Sequence, residues 1–234
     1  MEITIVKGIE GARLASGVVV VIDVMRAFTT AAYAFDAGIS EIELVSTPEE
    51  AFAAQGFRMG EVGGRLIPGF DHNNSPSRLI GRRLTGRAVL RTGSGTQCVR
   101  AATKASEIWL GSLVVAGATA RALSGCPRIT LVSSGSPNEG EEDIACGEWM
   151  ASLLNGVPDT RERVIDVVRT SRAAARHRAG DPDFPLEDVD CAVAIDAFDF
   201  AMKVERQGER SVARPVPGAD KQTWMTAGGA DGRS

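Results

Sequence analysis

The run Val18-Val-Val-Val-Ile22, closed by Asp23, constrains this chain more than any other stretch. Consecutive β-branched residues cannot alternate between core and solvent. They describe a strand buried on both faces, at the centre of a sheet covered by helices. After Asp23, the segment Val24-Met-Arg26 leads into a helical pattern over 27–37. In open α/β sheets ligands bind at the carboxyl ends of the strands, where Asp23 falls. A carboxylate there can hold a divalent cation, and the planar fork of Arg26 can take a phosphate or carboxylate. The two residues also read as a helix cap and a solvated arginine.

Strand patterns recur at 3–6, 41–45, 87–91, 107–110 and 129–133, with helical patterns at 48–55, 96–103 and 114–123 between them. That alternation predicts an α/β fold, a three-layer αβα sandwich around a mostly buried mixed sheet. Thr47-Pro48-Glu-Glu is a helix start. Further helices are expected from Gly140 to Asn155, from Pro158 to about His177, and over 186–197. Segments 200–205 and 210–216, separated by Gln207-Gly208-Glu209, predict a closing β-hairpin near the C-terminus. Residues 1–216 read as one α/β domain and 217–234, aperiodic and glycine-rich, as a disordered tail. The connection 58–74 is crowded with Gly, Pro and Asn, and ordered loops of that length usually carry function.

A net charge of -4 and a pI near 5.4 argue against a general nucleic-acid surface. No apolar run approaches the ~18 residues that span a bilayer, and no basic segment followed by an apolar leader opens the chain. Cysteines at 98, 126, 146 and 191 form no close pairs, so neither a zinc site nor a disulfide framework is expected. The expectation is a cytoplasmic protein with reduced thiols and without nucleic-acid or membrane partners; a homo-oligomer stays open. Arg169, Arg172, Arg176 and Arg178 read as one solvated helix face, and His72 as a solvated or packing side chain.

Three segments carry candidate chemistry. Between Met59 and Pro76, Glu61 and Asp71 supply hard oxygen ligands while Asn74 and Ser75 are neutral hydrogen bonders; Ser75-Pro76 is equally a helix start. Thr92-Gly-Ser94-Gly95-Thr96 opens a helix, where bare amides and hydroxyls can cradle an anion. It is neither a P-loop, since no Gly-Lys-Ser/Thr follows, nor a dinucleotide fingerprint, since Cys98 replaces the third glycine. Finally, Ser133 to Asn138 follows a strand and Glu139-Gly-Glu141-Glu142-Asp143 opens a helix. Acids in a first turn are stabilised by the helix dipole, yet they could also complete a cation site. No cysteine is followed by Arg at the spacing of cysteine phosphatases. Asp188-Val-Asp190 matches an aspartyl-phosphate motif in spacing only, and two histidines make a histidine-based phosphotransfer site a poor reading.

Across residues 1–216, in order, the chain resembles the 2-phosphosulfolactate phosphatase family. The segments are Asp23-Val-Met-Arg26-Ala-Phe-Thr29-Thr30, Gly60-Glu61, Pro68-Gly-Phe70-Asp71, Asn74-Ser75-Pro76, Gly95-Thr96, Gly111-Ser112-Leu113, Glu142-Asp143-Ile-Ala-Cys146 and Phe198-Asp199-Phe200-Ala-Met202. It departs from the family's usual pattern at Gly93-Ser94, at His72-Asn73, at Val62 and in Pro137-Asn-Glu-Gly. The resemblance implies a Mg²⁺-dependent α/β phosphatase that converts 2-phospho-3-sulfolactate to 3-sulfolactate and phosphate, a step toward coenzyme M.

On this reading Asp23, Glu61, Asp71 and Asp143 hold Mg²⁺, and Asp23, Arg26 and Asp71 carry catalysis. Thr29, Arg65, Asn74, Ser75, Ser94, Gly95 and Thr96 contact a small anionic phosphomonoester. Arg26 and the 93–96 turn take its phosphate; Arg65 or Asn73-Asn74-Ser75 takes its second anion. Whether water or Asp23 attacks phosphorus is left open. The alternative is a non-catalytic binder of a phosphorylated or sulfonated metabolite using the same pocket.

Overall fold

The computed structural model describes residues 1–135, 140–157 and 161–218. Ser136 to Glu139 of the acidic loop, Pro158, and the expected tail from 219 onward lie outside the described residues. Among the described residues ten strands make one mixed sheet. They are β1 (Glu2–Lys7), β2 (Gly17–Ile22), β3 (Glu41–Val45), β4 (Phe57–Val62), β5 (Arg65–Leu66), β6 (Arg87–Arg91), β7 (Ala105–Gly111), β8 (Arg128–Ser133), β9 (Phe200–Gln207) and β10 (Arg210–Pro217). Their spatial order is β1-β8-β2-β7-β9-β10-β3-β6-β4-β5. The helices are α1 (Gly8–Leu14), α2 (Ala27–Asp36), α3 (Pro48–Ala53), α4 (Gly95–Ala101), α5 (Ala116–Ala122), α6 (Glu141–Leu154), α7 (Arg161–Thr170), α8 (Arg172–His177) and α9 (Glu187–Ala192). Among the described residues no helix is long and apolar enough to cross a membrane.

The valine run does what its composition requires. β2 pairs in parallel with β7 on one side and β8 on the other, and Val19 to Ile22 are wholly buried. Val19 and Val21 pack with α2 and α4, whereas Val20 and Ile22 pack with Trp149 and Met150 of α6. Helices thus flank both faces. Burying such a side chain stabilises the fold by about 1.5–3 kcal/mol relative to leaving it exposed. Because Ile22 is in register with Gly111 and Ser133, three strands end level and deliver Asp23, Ser112 and Ser134 to one edge.

The C-terminal hairpin forms, but it lies inside the sheet, not at its border. β9 pairs antiparallel with β7 and β10 antiparallel with β3, so the hairpin joins two groups of parallel strands. Three antiparallel steps would put the carboxyl ends of β2 and β6 at opposite edges of a flat sheet. They meet nonetheless: Gly95 N–H, just beyond β6, donates to Asp23 Oδ2 at 3.0 Å. Right-handed strand twist accumulates across the sheet and curls it around α2 and α4.

Several elements differ from the sequence reading. The connection 58–74 is not a loop throughout, since it contains most of β4 and all of β5. Gly60 masks the strand pattern, but glycine is required there: its φ is +146°, and a Cβ would lie 2.1 Å from the Arg91 carbonyl oxygen. The helix expected up to His177 is broken at Ser171, whose hydroxyl caps α8 by accepting from Ala174 N–H at 3.1 Å. α9 stops at Ala192, short of 197. The short, glycine-containing α1 has no counterpart in the periodicity. The Thr47 cap of α3 is as read, with its hydroxyl accepting from Glu50 N–H at 3.2 Å.

Candidate active site

The carboxyl ends of β2, β6 and β8, the hairpin of β4 and β5, the first turn of α6 and the end of α8 enclose a cavity of about 250 Å³. Asp23, Arg26, Glu61, Asn74, Ser94, Ser134, Glu142, Asp143, Arg176 and His177 supply its polar wall.

Asp23 is both a cap and a site residue. Its Oδ1 accepts from Ala27 N–H at 2.9 Å, which starts α2, and its Oδ2 accepts from Gly95 N–H and from the Ser134 hydroxyl, each at 3.0 Å. Burial pushes its carboxyl pKa upward, with the charge of Glu61 adding to this and the hydrogen bonds working against it. Asp143 accepts from Val24 N–H at 2.8 Å, Gly135 N–H at 3.0 Å and Ser134 Oγ at 3.2 Å. Burial first, then the charges of Asp23 and Glu142, raise it well above the usual carboxylate range.

Ser134 bridges the two acids, but a hydroxyl carries one proton and can serve only one of them at a time. The second oxygen contact is favourable only when a proton or a cation lies between the acids. Glu61 is fixed by two amides, Gly64 N–H at 2.5 Å and Gly93 N–H at 2.6 Å.

Hard carboxylate oxygens held in this way suit magnesium, which is bound through one or two carboxylates while keeping several waters. Among the described residues, no three His, Cys, Asp or Glu side chains converge into a metal cage of their own.

Arg26 is nearly fully buried. Its Nη1 donates to Asp188 Oδ2 and to the Asp183 carbonyl, both at 2.8 Å, and Nη2 donates to the Gly64 carbonyl at 3.1 Å. The Phe184 ring lies 4.9 Å from its Cζ. The fork is therefore partly engaged by the protein, unlike the open anion receptor that the sequence suggests. Sequence reading missed Asp188 as the counterion of Arg26, and Ser134 and His177 as parts of the cavity wall. The Asp188-Val-Asp190 spacing is incidental; the signal is an acid at a buried position of α9.

The remaining expected residues divide. Asn74 and Ser94 line the cavity. Three amides of the 92–96 turn expected to take an anion serve the protein instead: Gly93 N–H bonds Glu61, Gly95 N–H bonds Asp23, and Thr96 N–H bonds the Thr92 hydroxyl at 3.2 Å. Ser75 lies behind the wall, donating to Asp188 Oδ1 at 2.8 Å. The fully buried Thr29 donates to the Val24 carbonyl at 2.8 Å and supports the strand-to-helix turn.

Asp71 is not brought to the cavity. It is exposed, and its carboxylate accepts from Arg58 N–H at 2.8 Å because the chain turns back along β4 there. Arg65 is also outside, on the exposed hairpin, paired with Asp181 at 2.9 Å. Conversely, Arg176 does not belong to a uniformly solvated face, because α8 turns it with His177 toward the cavity. His177 Nδ1 lies 2.7 Å from the Pro185 carbonyl, and burial lowers its pKa. His72 is a packing residue with Nε2 2.9 Å from the Ser75 carbonyl.

A mixed α/β sheet that gathers acids and an ion-paired arginine at its strand ends is here the frame of a phosphoric monoester hydrolase. A family model described as 2-phosphosulpholactate phosphatase matches residues 3–189, and the chain belongs to that family. It is similar to a Bacillus subtilis protein named "Probable 2-phosphosulfolactate phosphatase", 32% identical over 219 residues that cover 89% of this chain and 96% of that protein. A relative of the same name from Deinococcus radiodurans is 33% identical over 210 residues, 86% of each chain. A third, from Symbiobacterium thermophilum, is 32% identical over 177 residues, covering 71% of this chain and 76% of its own.

Proposed function

We propose that the protein is a Mg²⁺-dependent phosphatase that hydrolyses 2-phospho-3-sulfolactate to 3-sulfolactate and inorganic phosphate, in the cytoplasm and on a route toward coenzyme M. The observation that carries the reading is the charge of the cavity wall. Asp23, Glu61, Glu142 and Asp143 face Arg26 and Arg176, and the charge of Arg26 is already balanced by Asp188. In their ionised form these acids repel a polyanionic phosphoester; a divalent cation would favour that form and reverse the sign of the wall.

Asp23 and Asp143 would hold the ion, with Glu61 reaching it through water. Bound there, it would neutralise charge on the phosphoryl oxygens. Ser134 keeps the two aspartates aligned. Arg26 uses N–H groups that the protein leaves open to contact phosphoryl oxygens as negative charge builds on them, and the Ser94 hydroxyl offers a further donor. Asn74 and Arg176 meet the second anion, since Arg65 lies outside the cavity on the exposed hairpin. One of the acids orients the attacking water, whose proton passes to the leaving alkoxide.

The test is turnover of 2-phosphosulfolactate, phospholactate and para-nitrophenyl phosphate at fixed magnesium. A site built for two anions should discriminate against the last by ~10⁴-fold or more in kcat/KM. Equal efficiency would remove the substrate assignment, and activity unaffected by EDTA would remove the metal.

A further inference from the structure

We propose that Asp188 is a positioning residue that holds Arg26 and the Asn74–Ser77 turn as one unit, so that a donor and an acceptor of the cavity wall are set by a single buried carboxylate. Asp188 is wholly buried and lies 162 positions from Arg26, to which it is bonded. Its Oδ1 accepts from the Ser75 hydroxyl at 2.8 Å, the Ser77 hydroxyl at 2.6 Å and Ser77 N–H at 3.1 Å. Both oxygens are thus engaged, one on each half of the site.

The consequence for Arg26 follows from its donors. Guanidinium has five N–H groups. Among the described residues three of them are bonded, to Asp188, Asp183 and Gly64, which leaves Nε–H and one Nη2 hydrogen for a ligand. A buried arginine without a counterion would be costly, and a mobile one would lose the geometry on which its donors depend. The consequence for Asn74 is parallel. It sits one residue before Ser75, lines the cavity and has a buried Oδ1 that meets no protein partner among the described residues. Asp188 anchors its neighbour and thereby its backbone.

The inference rests on the phosphatase reading for its kinetic readout only, so the test has two readouts. The first is kcat and KM for the phosphoacid; the second is calorimetric affinity for inorganic phosphate. Both are measured for the wild type, Asp188→Asn, Arg26→Gln and the double variant. Asp188→Asn should lower kcat and kcat/KM together, and weaken phosphate binding, by ~10–100-fold, as loss of a supporting partner commonly does.

In the Arg26→Gln background the same change should cost several-fold less than in the wild type, because the part that passes through Arg26 is already lost and only the part that passes through the Asn74–Ser77 turn remains. Additive losses, or a wild-type-like Asp188→Asn, would overturn the proposal. Should Asp188→Asn not fold, Ser75→Ala/Ser77→Ala takes its place. That variant must lower kcat, and by less with Arg26→Gln than with Arg26 present; a wild-type kcat would likewise overturn the proposal. A wild type that turns over none of the esters, together with a non-additive phosphate cycle, would refute the substrate reading and leave the role of Asp188 standing.

Discussion

Gly95 N–H and Asp23 Oδ2, 3.0 Å apart and 72 positions apart in sequence, tie the end of β2 to the turn after β6. That bond joins the two parallel groups of the sheet at the cavity. It also demands glycine, because a Cβ at position 95 would stand 2.7 Å from Asp23 Oδ2 and 3.0 Å from Phe28 Cζ. Gly95→Ala should cost about 1–3 kcal/mol of stability through overpacking. Its displacement of Asp23 should lower kcat/KM by ~10-fold or more. Thermal melts and steady-state kinetics check both; wild-type kinetics would show that the contact relaxes without moving the acid.

Asp143→Asn retains an acceptor for Val24 N–H but loses the charge. Its stabilisation by magnesium should vanish, whereas wild type at 100 times its Kd should gain about 2.7 kcal/mol. The raised pKa of Asp143 sets the sign of the pH effect. Its folded value exceeds the unfolded one, so the metal-free protein loses stability as pH rises through that value. Protons compete with the cation below it, so the magnesium shift should shrink on acidification. A shift that is equal at neutral and mildly acidic pH would contradict this.

Asp71→Ala separates a structural carboxylate from a catalytic one. The loss of its bond to Arg58 N–H should cost about 0.5–1.5 kcal/mol, with kcat changed by less than ~2-fold, as expected for a group outside the reacting geometry. A kcat fallen by orders of magnitude would return Asp71 to the site.

The buried His72 has a pKa below its usual 6.5, burial being the main cause. Because the folded value is the lower one, the stability it contributes is present above about pH 6.5 and lost as pH falls toward the folded value. His72→Gln should therefore lose less stability than wild type between about pH 7.5 and 5.5. Equal losses in chemical denaturation at the two pH values would remove His72 from the acid response.

Local signals were strong where one element meets a uniform environment. β3 and β6 begin and end where their apolar patterns do, and the Thr47-Pro48 start of α3 is set by its own cap. β4 was hidden because Gly60 reads as a turn residue in sequence, while its lack of a side chain is in fact required by the Arg91 backbone beside it. The arginines at 169, 172, 176 and 178 do not form a single face, because the break at Ser171 separates Arg169 from the rest and the end of α8 borders the cavity with Arg176.

By itself the sequence determined that β2 would be buried on both faces, that helices would alternate with strands, and that Asp23 would stand at a strand's carboxyl end. Those properties follow from side-chain period and β-branching, which act within a few residues. Only the tertiary structure decided which acids share the cavity, that Asp71 and Arg65 stay outside it, and that Asp188 is the counterion of Arg26. These outcomes depend on strand order and on twist accumulated over a curled ten-stranded sheet. Residues separated by 72 or 162 positions meet through that curvature, and no local pattern encodes it.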